Sequence, residues 1–163
     1  MEYSLSIYIL LFFIYSFAGW LMEVTTVSIG QKKLVSRGFL IGPCLPIYGF
    51  GVTLITLLLT RYSDDVIVLF VMAFVLCCVL EYFTSYIMEK LFNARWWDYS
   101  NKRFNINGRV CLSNGICFGL GGCLVILGTN PIILNFLSHI PQTTLTILAI
   151  IFCSVFVDAE CEK

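Results

Sequence analysis

Four uncharged, apolar runs follow one another along the chain, and short charged segments separate them. The runs cover residues 3–22, 38–60, 66–80 and 110–157, and the third resumes after Glu81. A helix needs about 20 apolar residues to cross the hydrocarbon core of a bilayer. The first two runs therefore predict one span each, and the fourth is long enough for two. We expect about five transmembrane helices, over residues 3–29, 38–60, 66–89, 110–127 and 141–157.

The predicted fold class is all-α, a polytopic membrane helix bundle that forms one membrane-embedded domain over residues 1–163. Strands of a membrane barrel alternate apolar and polar residues, and these runs do not. Composition agrees with this class. Apolar residues make up 59% of the chain and charged residues 12%, whereas a soluble domain has about half and about a quarter.

The distribution of charge predicts an orientation. Ten Lys and Arg balance ten Asp and Glu, so the chain lacks the basic excess of a nucleic-acid-binding protein and we expect no such partner. With the amino terminus outside, nine of the ten basic residues fall in cytoplasmic segments and only Arg61 lies outside. Because Lys and Arg near span ends resist translocation, we expect the amino terminus outside and the carboxyl terminus inside.

A weak internal repeat relates the first and third predicted helices. Residues 23–29 and 81–87 share the pattern Glu-x-x-Thr-x-x-Ile, and each copy precedes a basic loop and an arginine beside a glycine, Arg37 or Arg109. Both copies start outside. The pattern therefore indicates a parallel tandem repeat of helical hairpins, related by an axis along the membrane normal.

Glu23 and Glu81 are ionisable groups within predicted spans. Such a group costs from about 2.5 kcal/mol upward and persists where it faces the bundle interior, a partner or water. Two interpretations stay open here. The carboxylates form a proton or cation site, or bind a cationic substrate group, along a pathway; alternatively, they form structural ion pairs with Arg37 and Arg109 that hold the hairpins together.

The second predicted helix contains two prolines, Pro43 and Pro46, shortly before Tyr48. Proline removes a backbone donor, so we expect a kink or break whose free carbonyls face protein or a water-filled cavity. At the matching place in the second half, Asn114 lies among glycines. Interrupted helices at corresponding positions are typical of a transporter binding site, which makes these four residues pathway candidates. Close helix packing at the glycines is the alternative.

The predicted cytoplasmic loop between the third and fourth helices mixes basic and aromatic side chains. Its central residues are Arg95, Trp96, Trp97, Asp98 and Tyr99. This mixture is typical of a segment at the headgroup level of a membrane. A docking surface for a cytoplasmic partner is the alternative.

Metal-binding and catalytic patterns are weak in this sequence. Eight cysteines include no Cys-x-x-Cys pair, and Cys111, Cys117 and Cys123 lie six apart, which would point them to different faces of a helix. We therefore expect no metal site, no cofactor and a packing role for the thiols. An intramembrane enzyme is not expected either, because Asp158 is the only aspartate in a span and His139 lies in a loop without a matching nucleophile.

Several strings together resemble one family. They are GWLME at 19–23, RGFLIGPCLPIYGFG at 37–51, LEYFTSYIMEKLFNARWWDYS at 80–100 and FNINGRVCL at 104–112. The ensemble is similar to the Putative ABC-transporter type IV family, also called CmpB-like, a group of small bacterial integral membrane proteins. This resemblance implies a permease-like, multi-pass subunit of a bacterial plasma (inner) membrane without an established substrate. The alternative is a non-transporting membrane scaffold or sensor.

The resemblance also has implications for partners besides the lipid bilayer. The sequence contains no Gly-x-x-x-x-Gly-Lys-Ser/Thr phosphate-binding motif, so a permease of this kind requires a separate ATPase subunit. The segment 95–109 is the expected docking region. Five helices per chain favour a homo- or hetero-oligomer that encloses the pathway.

Overall fold

A computed structural model describes residues 3–33 and 43–161, and these form an almost entirely helical protein. The helices are α1 (Leu5–Gln31), α2 (Pro46–Leu59), α3 (Val66–Phe92), α4 (Leu112–Leu124), α5 (Asn130–Ser138) and α6 (Gln142–Cys161). A 3₁₀ turn, Thr60–Tyr62, extends α2, and a π-helical turn, Val125–Thr129, joins α4 to α5, which leaves five helical segments. Strands β1 (Asn105–Ile106) and β2 (Val110–Cys111) form a short antiparallel hairpin. The predicted all-α class is confirmed.

Three of the helices in the described chain are long and apolar enough to cross a membrane. They cover Leu5–Gly30, Val66–Phe92 and Leu112–Ser138. Helix α2 has 14 residues, and the apolar part of α6, Gln142–Asp158, is also shorter than these three. The apolar runs of the sequence thus fold into helices of the kind a membrane protein requires.

Helix α3 has a defined start and a defined end. The Asp65 side chain caps its amino terminus by accepting hydrogen bonds from the backbone N–H groups of Ile67 (3.1 Å) and Val68 (3.0 Å). Asn93, in the left-handed conformation with φ 52°, follows its last turn. An Asp N-cap is common at the start of helices, and a left-handed residue is common after their last turn. Together they define the length of the helix that carries Glu81.

The second helix differs from the prediction of 38–60. Pro43, Cys44 and Leu45 are not helical, and α2 begins at Pro46. Proline is tolerated in a first helical turn because its missing donor would be unpaired there anyway. The second proline therefore starts a helix and does not kink one. Residues 34–42, which include Arg37 and the predicted start of this helix, lie outside the described residues.

The fourth helix was predicted to end at residue 127, and this prediction is wrong. The helical segment continues through the π turn to Ser138. In that turn the Asn130 N–H bonds to the Val125 carbonyl five residues back, and this wider geometry accommodates Pro131 within the helix. The Asn130 side chain, 2% exposed, donates to Thr56 Oγ1 at 2.7 Å.

Packing divides the described chain into two compact units. The first comprises the described residues up to Thr53 and from Ile132 onward, and the second comprises Leu54–Pro131. The core of the first unit contains Leu10, Leu137, Leu145 and Ala149. The core of the second contains Ile55, Leu59, Leu69, Ala73 and Ile126. The single domain expected over 1–163 stays a prediction.

Close contact between α3 and α4 in the second unit depends on glycine. A Cβ atom at Gly115 would lie 2.5 Å from the Phe74 ring, and one at Gly119 would lie 2.6 Å from the Phe70 ring. These positions therefore allow the two helices to approach. The packing interpretation accounts for these glycines of the fourth helix.

Candidate functional site

Three polar side chains of α3 form a stripe along the second unit. Glu81, Ser85 and Glu89 are spaced by four residues, and four residues turn a helix by about 400°, which returns to nearly the same face. All three contact the segment 93–111, which follows α3. We call these three residues the polar stripe.

Arg109 binds the part of the polar stripe nearer the end of α3. Its Nη2 lies 2.6 Å from Glu89 Oε2, and its Nη1 donates to Ser85 Oγ at 3.3 Å. The guanidinium carbon also lies 5.8 Å from the ring centroid of Tyr82 and 5.4 Å from that of Tyr86, within the range of a cation–π contact. Arg109 is 9% exposed, so a nearly buried cation is paired here.

The predicted ion pair between Arg109 and Glu81 is not formed, and Glu89 takes that role. Eight residues separate the two glutamates, or about 12 Å along a helix. Arg109 lies in the turn of the short hairpin, beyond the end of α3, and binds the carboxylate nearer that end. Arg37, the arginine proposed for Glu23, lies outside the described residues.

Glu81 is 5% exposed and takes its hydrogen bond from an unexpected residue. Its Oε1 accepts from the Tyr99 hydroxyl at 3.1 Å. Its Oε2 is buried without a hydrogen-bond partner in the described part of the chain. The Asn114 side chain, from the first turn of α4, is a neighbouring polar group.

The segment Arg95–Tyr99 folds onto the β-hairpin. Trp97 Nε1 donates to the Arg109 carbonyl at 3.1 Å, and the Tyr99 N–H donates to the Gly108 carbonyl at 2.7 Å. Arg95 Nε donates to Glu89 Oε2 at 3.1 Å. Two strings that carried the family resemblance, 80–100 and 104–112, therefore build one hydrogen-bonded structure.

Gly108 lies in the turn of the hairpin, where the backbone conformation favours glycine. It has φ +68°, a conformation that side chains disfavour. A Cβ atom there would also lie 2.6 Å from Asp98 Oδ1 and would overlap the Ser100 hydroxyl. Asp98 Oδ1 accepts hydrogen bonds from both the N–H and the hydroxyl of Ser100. These bonds, together with Arg95 nearby, hold the pKa of the Asp98 carboxyl below its ordinary value.

Glu23, in the first unit, has a similar partner. Its Oε1 accepts from the Tyr48 hydroxyl at 2.9 Å. The Tyr48 ring lies against Gly19, where a Cβ atom would come within 2.6 Å of the Tyr48 Cβ. Glycine one turn before Glu23 therefore lets the ring approach α1. Pro46 begins the helix that carries Tyr48.

The two units share one local arrangement. In each, the carboxyl group of a glutamate in a long apolar helix, Glu23 or Glu81, accepts a hydrogen bond from a tyrosine hydroxyl. Among the predicted pathway residues, the structure brings Tyr48 to Glu23 and Asn114 to the neighbourhood of Glu81. Tyr99 was predicted at a docking surface, and Glu89 was not singled out. The four-residue spacing of Glu81, Ser85 and Glu89 is the signal in the sequence that identifies the stripe.

Trp96 is the most exposed aromatic residue of the segment Arg95–Tyr99, with 39% of its surface accessible, and its ring contacts that of Phe92. The described residues contain no group of three or more His, Cys, Asp or Glu that could hold a metal ion.

Comparison with known proteins gives one family. The sequence model described as Putative ABC-transporter type IV matches residues 10–160, a range that includes all the strings named above, the whole second unit and most of the first. No curated protein and no solved structure matches the chain significantly.

Proposed function

Since the chain belongs to the Putative ABC-transporter type IV family, we propose that it is a permease-like, multi-pass membrane subunit of an ABC-type transporter in a bacterial plasma membrane. The three membrane-length helices support this location. Within a transporter, five helical segments per chain favour a homo- or hetero-oligomer. In this role the chain moves a substrate and is not an enzyme.

The observation that carries the proposal is the carboxyl group of Glu81. It lies inside an apolar helix of membrane length, and one of its oxygens is buried without a hydrogen-bond partner among the described residues. Such an oxygen is costly in an apolar environment. Ionisable groups within spans are typical of ion or substrate pathways. This supports a transport role for the second unit.

A separate ATPase subunit would supply the energy, because the sequence lacks a phosphate-binding motif. Arg95, Trp97 and Tyr99 bond within the chain. We therefore place the docking contact at the exposed tip of the same segment, residues 102–106. This tip presents Lys102, Arg103 and the side chain of Phe104, which is 79% exposed.

Affinity purification of the tagged full-length chain from cross-linked native membranes tests this proposal. We expect an ATPase subunit to be recovered with it. Replacing Lys102 and Arg103 together with glutamate should lower that recovery by about tenfold or more. The basic tip would bind an acidic surface of the ATPase subunit, and the two glutamates would be repelled by that surface. Arg61→Glu, on the predicted outer side, is the matched control and should leave recovery unchanged. A well-folded wild-type chain that recovers no ATPase would contradict the proposal.

A membrane scaffold or sensor is the second candidate function. It is favoured by the pairing of Arg109 with the polar stripe, because this pairing ties the segment 93–111 to α3. In that role the same purification should recover a regulator or a cell-envelope enzyme and no ATPase.

A further inference from the structure

The partners of the Glu81 carboxyl group are unequal. Oε1 accepts a hydrogen bond from Tyr99, whereas Oε2 is buried without one in the described chain. An ionised carboxylate presents two acceptor oxygens of equal charge and favours donors on both. A neutral carboxylic acid has different needs, because one oxygen accepts and the other donates. Burial of the side chain and the unpartnered Oε2 favour the neutral form of Glu81.

No described cation pairs with Glu81. Arg109, which contacts the polar stripe, binds Ser85 and Glu89. The ionisable or polar groups around Glu81 include Cys77, Cys78 and, one turn along the polar stripe, Ser85 on α3, Tyr99 from the segment after α3, Cys111 of β2 beside Cys78, and Asn114 on α4. None of these groups carries a positive charge. Among the described residues, an ionised Glu81 would therefore be a nearly buried anion without a counter-ion, which is strongly unfavourable.

We infer that Glu81 is a proton-binding site, in which the buried Oε2 carries a proton while Oε1 accepts a hydrogen bond from the Tyr99 hydroxyl. The proton comes from water when the protein folds, and no other bond changes. A proton needs no cavity, which suits a side chain that is 5% exposed. Tyr99 is a positioning residue for this site.

Glu89 provides the contrast on the same stripe. Its Oε2 receives Arg109 at 2.6 Å and Arg95 at 3.1 Å, so its ionised form has two cationic partners. Two carboxyl groups on one helix face thus occupy opposite protonation states because of their neighbours. This inference does not depend on the proposed transport function, since a bound proton would also stabilise a scaffold.

Infrared spectroscopy of the full-length protein in lipid nanodiscs at neutral pH tests the inference directly. A protonated carboxyl group has a C=O stretching band separate from those of an ionised carboxylate. We expect this band in the wild type, its loss or marked reduction in Glu81→Gln, and its retention in Glu89→Gln. Tyr99→Phe should shift the band to higher frequency, because the C=O oxygen, Oε1, loses its hydrogen-bond donor. A wild-type spectrum without the band would overturn the inference, whatever the variants do.

Thermal unfolding gives an independent measurement. Glutamine has nearly the shape of a protonated glutamic acid and is neutral. Glu81→Gln should therefore keep its Tm within about 3 °C of the wild type. Glu89→Gln should lower the Tm clearly more, because Arg109 loses its anionic partner. If Glu81→Gln costs as much Tm as Glu89→Gln, the carboxyl of Glu81 is ionised and the inference fails. Neither measurement involves transport. Failure of this inference is therefore distinguishable from failure of the proposed function.

Discussion

Arg109 Nη2 lies 2.6 Å from Glu89 Oε2, and this contact joins the β-hairpin to the last turns of α3. Arg95 reaches the same carboxylate oxygen at 3.1 Å. One glutamate therefore connects both ends of the segment 95–109. Arg109 is thus engaged two turns away from Glu81, and no other arginine in the described part of the chain pairs with that glutamate.

The first prediction concerns Arg109. Its substitution by methionine should lower the free energy of unfolding by about 2 kcal/mol, because hydrogen bonds from a buried charged group to Glu89 and Ser85 are lost. Arg95→Met is the matched control. That side chain is 34% exposed, and surface ion pairs contribute less than about 1 kcal/mol. Denaturant unfolding in detergent micelles measures both. Equal losses in the two variants would contradict the assignment of Arg109 as the main contact.

Gly108→Ala should destabilise the hairpin. The alanine would have to adopt φ +68°, with its Cβ against Asp98 and Ser100, and strain of this kind costs about 1–3 kcal/mol. Gly121 is the control, because a Cβ there has nothing within 4 Å, and Gly121→Ala should be neutral or slightly stabilising. The free energy of unfolding, measured by denaturant, should therefore fall in Gly108→Ala and stay the same or rise slightly in Gly121→Ala. A Gly108→Ala protein as stable as the wild type would show that the hairpin closes in another way.

Gly19→Ala tests the contact that positions Tyr48. An added methyl group would overlap the Tyr48 ring, and forcing extra volume into a packed contact costs about 1–3 kcal/mol. We also expect the hydrogen bond from Tyr48 to Glu23 to lengthen or break. Gly30→Ala, with open space around the new Cβ, should have no such effect. Tyrosine fluorescence and unfolding in micelles would distinguish the two variants.

The Asp98 carboxyl predicts a pH dependence. Hydrogen bonds from Ser100, with a contribution from Arg95, lower its pKa in the folded protein below the ordinary value of 3.8. A lowered pKa means that the stabilisation is fully present above the ordinary value and is lost as the pH falls through the folded value. Protection of the Ser100 amide against hydrogen exchange should therefore decrease below about pH 3.8. In Asp98→Asn this step should be absent, and its persistence there would assign it to another group.

The predicted orientation can be tested with thiol labelling. A membrane-impermeant reagent added to intact cells should not label Lys102→Cys, because residue 102 is expected inside. The same reagent should label Asp64→Cys, which lies exposed in the short connection before α3. The wild type measures the background from the native cysteines. Strong labelling at 102 with none at 64 would reverse the orientation.

The pattern of apolar residues predicted most of the helical structure. Uncharged runs gave α1 and α3 to within a few residues, because burial in lipid demands length and apolarity, and both are visible in a sequence. The end of the fourth helix was misplaced. Gly128 and Pro131 are typical of a helix end, but the π turn and the buried Asn130 side chain carry the helix past them.

The partner of each charged side chain was less predictable. Sequence order suggested Arg109 for Glu81, but the β-hairpin and the left-handed Gly108 deliver the guanidinium to Glu89. The role of Tyr99 depends on the same loop geometry. Such contacts form or fail within a few tenths of an ångström. The residue types in a segment do not determine distances between side-chain atoms so closely.

The chain's helical, membrane-protein character follows from the sequence alone, because transfer of apolar side chains out of water is additive along the chain and needs no knowledge of neighbours. The sequence pattern also predicts that Glu23 and Glu81 lie within long apolar helices. Only the folded chain decided which groups meet these carboxylates. Hydrogen bonds and ion pairs are short-ranged and directional, so Tyr48, Tyr99 and Arg109 acquire their partners from the turns and close helix contacts that bring distant segments together.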